Sequence, residues 1–112
     1  MILKNIFKKI PESIPEELVD IISETEEVRI ERIVSKGHTS PSGSWYDQDR
    51  NEYVLLLKGS AGLLFEGKEE ILVMHPGDYV DIPAHARHRV EWTDPDQKTV
   101  WLAVYYSNDR GA

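Results

Sequence analysis

The chain has 112 residues, a net charge of −7 and no cysteine. This length suits one domain with a core large enough to fold without disulfides, and the lack of thiols excludes a thiolate nucleophile or a thiolate metal site. The acidic balance argues against nucleic acid as a partner, because proteins that bind the phosphate backbone usually present a basic face.

The first ten residues, MILKNIFKKI, place apolar residues at helical spacing opposite lysines. Such a segment could lie on a membrane surface, but it is too short to bury much apolar area in lipid. We therefore interpret it as an arm that packs on the domain or on a second subunit. No apolar run is long enough for a signal peptide or a membrane span, so the sequence predicts a cytoplasmic protein with no membrane partner.

A short helix is predicted after this arm. Ser13 and Glu16 have the spacing of a capping box, which is typical of a helix start. Apolar residues then share one helical face: Leu18, Ile21 and Ile22. We accordingly divide the chain into an N-terminal arm and short helix over residues 1–27 and a β-domain over residues 28–112.

From Val28 the apolar period changes to two, and the strand that begins there ends before Gly37. Turn signals rich in glycine and proline then separate short segments filled with valine, isoleucine, tyrosine and tryptophan. The strands predicted in these segments cover residues 53–57, 61–65, 71–74, 79–82, 88–92 and 99–106. Many short strands at fairly even spacing predict an all-β sandwich or barrel.

Two segments of the β-domain resemble the two motifs of the cupin superfamily. Glu52 is followed after six residues by Gly59, as at the end of the first motif, and Gly77, Pro83 and His88 match the second. The resemblance implies a cupin-type double-stranded β-helix, a jelly-roll barrel, with a site inside it. It also implies a divalent metal held by three histidines and a glutamate in many members, and frequent homodimers.

The first motif departs from the family at its two histidine positions. Counting back from Glu52, these positions fall on Tyr46 and Gln48, or on Trp45 and Asp47 if the spacer is one residue longer. In the first register Tyr46, Gln48 and Glu52 share strand parity, so all three side chains could point into one barrel.

A metal could still be held by the groups that remain. Gln48, Glu52 and His88 offer an amide oxygen, a carboxylate and an imidazole, a set suited to Mn, Fe, Ni or Zn. A fourth donor is needed, and His38 could supply it if its loop folds back over the barrel mouth. The alternative is that His38 is a solvent-exposed loop residue.

A metal-free pocket is the other interpretation of the same residues. A buried carboxylate needs a partner, and Glu52 could pair with protonated His88 or with an arginine, Arg50 or Arg87. The loss of two imidazoles from a three-histidine site would weaken binding of borderline divalent ions severely, which favours this alternative.

Three further residues are candidates for the ligand pocket: Tyr46, His85 and Trp92. His85 lies three residues before His88 and could act with it as acid and base, or it could face water in the turn after Pro83. Parity places Trp92 on the same side of its strand as His88, where the indole would form a wall for a planar ligand or pack in the core.

Three classes of function remain open. The first is a metal-dependent enzyme, a dioxygenase or an isomerase of a small organic acid or sugar derivative. The second is a metal-free module that binds a small molecule between aromatic walls. The third is a homodimer scaffold in which the N-terminal arm is exchanged between subunits. We place a barrel that binds a metal or a small ligand first, without assigning its substrate.

Overall fold

The computed structural model describes residues 1–107, which form eight β-strands and no α-helix. The strands are β1 (Leu18–Glu24), β2 (Val28–Ser35), β3 (Asn51–Lys58), β4 (Ala61–Phe65), β5 (Leu72–Met74), β6 (Tyr79–Ile82), β7 (His88–Thr93) and β8 (Thr99–Tyr106). They build two antiparallel sheets, one of five strands in the order β1-β2-β8-β3-β6 and one of three in the order β5-β4-β7. The all-β prediction is therefore confirmed. Within this part of the chain, no segment is a helix that could cross a membrane.

The predicted N-terminal helix is wrong, because its apolar residues form β1 instead. This edge strand pairs antiparallel with β2, and Asp20 faces Arg32 across the pair in a salt bridge of 2.5 Å. Valine and isoleucine dominate the segment, and β-branched residues favour an extended backbone once a neighbouring strand is present to pair with. Residues 13–16, which carry the capping-box spacing, lie in irregular structure before the strand.

The N-terminal arm is bound to the same sheet by side chains that donate to its backbone. Arg32 donates hydrogen bonds to the carbonyls of Ile6 at 3.1 Å and Lys8 at 2.6 Å. The ammonium group of Lys98 donates to the carbonyl of Pro11 at 2.6 Å. Charged donors of this kind satisfy carbonyls of a segment that has no strand partner of its own.

The core lies between the two sheets and is apolar at one end only. Its buried members come from five strands: Val54, Leu56, Ala61, Leu63, Met74, Ile82 and Trp101. The pairing of β2, β8 and β3 sets their inward residues side by side in three rows, because antiparallel partners point to the same face. The first row is Ile33, Trp101 and Leu56, the second is Glu31, Ala103 and Val54, and the third is Arg29, Tyr105 and Glu52. The floor of the barrel therefore changes from apolar to polar and charged toward Glu52.

A β-bulge in β7 changes the side on which Trp92 lies. Gly62 pairs with Trp92 while the next residue, Leu63, pairs with Val90, so β7 contains one extra residue at Glu91. An extra residue inverts the alternation of side chains beyond it. Val90 consequently points into the barrel and Trp92 points away. The indole lies so close over Gly62 that an added Cβ there would be 2.3 Å from its Nε1.

Candidate ligand-binding site

A cavity of about 190 Å³ opens at the polar end of the barrel floor. Its lining residues come from both sheets and from the two segments that precede β1 and β3. They are Glu17, Val19, Glu31, Ile33, Tyr46, Gln48, Glu52, Val54, Leu63, Ile82, His88, Val90, Trp101 and Tyr105. Most of the wall is therefore apolar or aromatic, with a few polar groups placed among it, as is usual for small-molecule sites.

The central polar contact of the cavity joins Glu52 of β3 to His88 of β7. Glu52 Oε1 lies 3.3 Å from His88 Nε2, and both side chains are at most 10% exposed. The other ring nitrogen, Nδ1, is 2.8 Å from the carbonyl oxygen of Ala86. A carbonyl and a carboxylate are both acceptors, so this arrangement is satisfied when both ring nitrogens carry a proton.

The surroundings of His88 also raise the pKa of its imidazole, which agrees with a ring that carries both protons. Burial lowers this pKa, but the hydrogen bonds that His88 donates to Glu52 and to the carbonyl of Ala86, together with the negative charge of Glu52, outweigh burial and raise it above the ordinary imidazole value. The pair therefore favours an imidazolium beside a carboxylate. The carboxylate of Glu52 thus has His88 as its partner. Arg87 pairs instead with Glu66 at 2.8 Å, and within residues 1–107 no salt bridge joins Arg50 to Glu52.

Backbone hydrogen bonds hold Tyr46 and Gln48 against the segment that contains His88. Tyr46 and His88 form an isolated antiparallel bridge, with N–O distances of 2.7 and 3.1 Å. The amide of His85 donates to the carbonyl of Gln48 at 2.7 Å. As a result, both side chains line the cavity, and the ring of Tyr46 lies 5.5 Å from the imidazole of His88. The first of the two registers considered for the motif is the one that the chain adopts.

Three residues that the sequence did not single out also line the cavity: Glu17, Glu31 and Tyr105. Glu31 is 7% exposed and lies 3.0 Å from the guanidinium of Arg29. Burial raises the pKa of Glu31, and the charge of Arg29 offsets part of that shift. Burial also raises the pKa of Tyr105 strongly, with the carboxylates of Glu52 and Glu31 adding to it, so this phenol keeps its proton.

Some of these residues carried a signal in the sequence. Tyr105 has the parity of Trp101 in β8, and Glu31 shares the parity of Ile33 in β2, although that face of β2 also carries Arg29 and is not apolar along its length. Glu17 carried none, because its place depends on the path of the chain before β1. Its carboxylate accepts a hydrogen bond of 2.6 Å from the hydroxyl of Ser35.

Three predicted site residues lie elsewhere. The ring of His38 accepts from the amide of Lys36 at 2.9 Å and lies 3.2 Å from the carbonyl of Pro15, outside the cavity and away from Glu52. His85 is exposed and is paired with Asp47 at 2.9 Å. Trp92 lies on the outer face of its sheet because of the bulge in β7. The fold thus brings together Tyr46, Gln48, Glu52 and His88, and it leaves His38, His85 and Trp92 out.

The donor set of this cavity does not fit a tightly held divalent metal. Within residues 1–107, no three histidine, aspartate or glutamate side chains are grouped so that they could hold an ion. Where the cupin motif has two histidines, this chain has Tyr46 and Gln48, and burial together with the charge of Glu17 raises the pKa of Tyr46. A protonated phenol and an amide oxygen are weak ligands, so among the four motif positions only Glu52 and His88 carry strong donors, and the carboxylates of Glu17 and Glu31 are not grouped with them closely enough to complete a site.

Comparison with known proteins identifies relatives of this fold. Residues 32–105 match the family model described as a cupin domain. A solved structure from Ralstonia eutropha JMP134, described as a "putative mannose-6-phosphate isomerase", has 44% sequence identity and a TM-score of 0.92, over 96% of this chain and 99% of that one.

Two more distant structures share the fold. A cupin superfamily protein from Desulfitobacterium hafniense DCB-2 has 18% identity and a TM-score of 0.72, over 88% of this chain and 84% of its own. An RmlC-like cupin with a double-stranded β-helix fold from Methanocaldococcus jannaschii has 19% identity and a TM-score of 0.68, over 88% and 87%. No curated protein matches the sequence.

Proposed function

The chain belongs to the cupin family, and from this premise we propose that it binds a small organic molecule in the barrel cavity, oriented by the Glu52–His88 pair. The observation that carries this proposal is a buried carboxylate–imidazole pair at 3.3 Å inside a mostly apolar cavity. Buried charges are costly to maintain, and a cavity with a few convergent polar groups is the usual form of a ligand site.

The same pair supports a chemical role in addition to binding. His88 Nε2 can donate a proton to a ligand oxygen, and the carboxylate of Glu52 can accept one from a ligand hydroxyl or an activated carbon. Gln48 adds an amide group on the same wall, able to donate to one ligand atom and accept from another. This set of groups suits an isomerase-type proton transfer that needs no resident metal. The name of the 44% identical relative contains the word isomerase, which is consistent with such chemistry.

A ligand screen with variants tests the proposal. We expect at least one compound in a panel of small sugars, hydroxy acids and amines to raise the melting temperature by several degrees when it is present at about a hundred times its Kd. His88→Ala and Gln48→Ala should each lose this shift while remaining folded, because they remove polar groups of the cavity.

The matched control is His85→Ala, which removes an exposed histidine from the same segment outside the cavity. It should respond to the ligand as the parent does. If both cavity variants bind as well as the parent, the ligand site lies elsewhere and the proposal fails.

A further inference from the structure

Resting on the proposed function, we infer that the ligand of this cavity carries a positive charge and is a compact organic ammonium ion rather than a phosphate ester. Two features of the cavity lead to this class of ligand: the sign of the charges in its wall and the aromatic rings beside them. The size of the cavity limits the ligand further.

The charges of the wall are mainly negative. Three carboxylates line the cavity, those of Glu17, Glu31 and Glu52, and among the described lining residues none is lysine or arginine. Among the lining residues in the described range 1–107, only His88 can be cationic, and Glu52 already balances it. A phosphate would have to approach these carboxylates without a guanidinium or ammonium group to bind it, whereas proteins normally recognise phosphate through arginine or lysine.

Arg29, which contacts two of the lining residues, is already engaged. Arg29 lies 3.0 Å from Glu31, and its guanidinium carbon sits 4.8 Å from the ring centroid of Tyr105. The contact with Tyr105 is a cation–π interaction, so the wall of this cavity already stabilises one positive charge against an aromatic ring. Arg29 neutralises Glu31 at the rim, and the carboxylates of Glu17 and Glu52 then remain opposite a single imidazolium.

Aromatic rings form a large share of the remaining wall, from Tyr46, Trp101 and Tyr105. A bound alkylammonium group is usually surrounded by aromatic rings and carboxylates, because both attract its diffuse positive charge. Tyr46 is 43% exposed and lines the cavity where it meets solvent.

The volume restricts the ligand to a compact one. A cavity of about 150 Å³ is enough to hold benzene, so about 190 Å³ admits a molecule only slightly larger. A small quaternary ammonium alcohol such as choline is of this size. A hexose phosphate is larger than this volume, so part of it would extend beyond the cavity.

The preference for a positively charged ligand is tested by isothermal titration calorimetry with three probes. They are choline, its uncharged isostere with a quaternary carbon in place of the nitrogen, and mannose-6-phosphate. We expect choline to bind at least about tenfold more tightly than the isostere, since a desolvated cation–π contact and a carboxylate both act on the charge alone. Equal binding of choline and its isostere, tighter binding of mannose-6-phosphate, or no binding of choline would each overturn the inference.

A variant that removes one negative charge from the cavity wall tests the role of the carboxylates. Glu17→Gln should weaken choline binding by about three- to tenfold and leave the isostere unchanged, because only an electrostatic contact is lost. The control is Glu66→Gln, which removes a carboxylate from an exposed pair with Arg87 outside the cavity. An unchanged affinity in Glu17→Gln would contradict the assigned role of the carboxylates.

The outcome also separates this inference from the proposed function. If the isostere or mannose-6-phosphate binds best and His88→Ala abolishes that binding, the cavity remains the ligand site and only the charge class is wrong. If choline binds and His88→Ala and Gln48→Ala have no effect on it, the proposed site itself is wrong.

Discussion

Gly59→Ala is expected to destabilise the protein by about 3 kcal/mol or more. Gly59 has a φ of +90°, and a Cβ at this position would lie 2.3 Å from Thr99 Oγ1 and 2.7 Å from Thr99 Cα. Thr99 is completely buried in β8 and is hydrogen bonded to Ser60, so it cannot withdraw. The variant therefore combines an unfavourable left-handed backbone with overpacking of the core, each worth about 1–3 kcal/mol.

The matched control for this prediction is Gly67→Ala. Gly67 has a similar φ of +83°, but no atom lies within 4 Å of a Cβ placed there. This variant should lose only the backbone contribution, about 1–2 kcal/mol. Urea unfolding of both variants measures the difference. Equal losses would show that the contact with Thr99 is not the reason for glycine at position 59.

Glu52→Gln is expected to destabilise the protein by about 2 kcal/mol near pH 6 and by clearly less at high pH. In the folded protein the pKa of His88 is raised, so its interaction with Glu52 contributes fully at pH values below the ordinary imidazole value of about 6.5. That contribution is lost as the pH rises through the folded-state pKa of His88. Removal of the Glu52 carboxylate therefore lowers the free energy of unfolding most while the imidazole of His88 is charged.

The measurement is the free energy of unfolding of parent and variant across this pH range. The pKa of Glu31 is also raised, and its contribution changes with pH in the same direction, but Glu31 is present in both proteins and its effect largely cancels in the difference.

Asp47→Asn is the control for this measurement, because it removes the carboxylate of the exposed Asp47–His85 pair. We expect its free energy of unfolding to differ from that of the parent by no more than about 0.5 kcal/mol. A difference between parent and Glu52→Gln that is constant with pH, or that grows as the pH rises, would contradict the pairing.

The sequence located the central polar contact through strand parity and the family resemblance together. Strand parity placed Gln48 and Glu52 on one face, and the resemblance to the second cupin motif implied that His88 faces them from another strand. The structure has Glu52 and His88 at 3.3 Å. The strands over residues 61–65, 79–82 and 99–106 coincide with β4, β6 and β8, since glycine and proline turns mark their ends.

Other features depend on tertiary structure that no local pattern shows. The segment Leu18–Glu24 satisfies a helical apolar period, yet it is a strand because an open edge of β2 is available to pair with it. Trp92 was placed inside the barrel by simple alternation, and only the pairing of Gly62 with Trp92 shows the bulge that turns it outward.

The acidic character of the cavity was missed for the same reason. Glu31 lies on a face of β2 that mixes charged residues with Ile33, and which face of β2 points inward is decided by its pairing with β8. Glu17 reaches the cavity only because the irregular segment before β1 passes its mouth, where Ser35 binds the carboxylate. The charge class of the ligand therefore follows from the assembled cavity and not from the motif.

Titration of the His88 imidazole by nitrogen NMR, in the parent and in Glu52→Gln, tests the central claim most directly. With a chelator present throughout, we expect a His88 pKa above the ordinary imidazole value of about 6.5 in the parent and a fall below it in the variant, where burial acts without the carboxylate. A His88 pKa at or below the ordinary value in the parent, unchanged by Glu52→Gln, would contradict a buried Glu52–His88 pair.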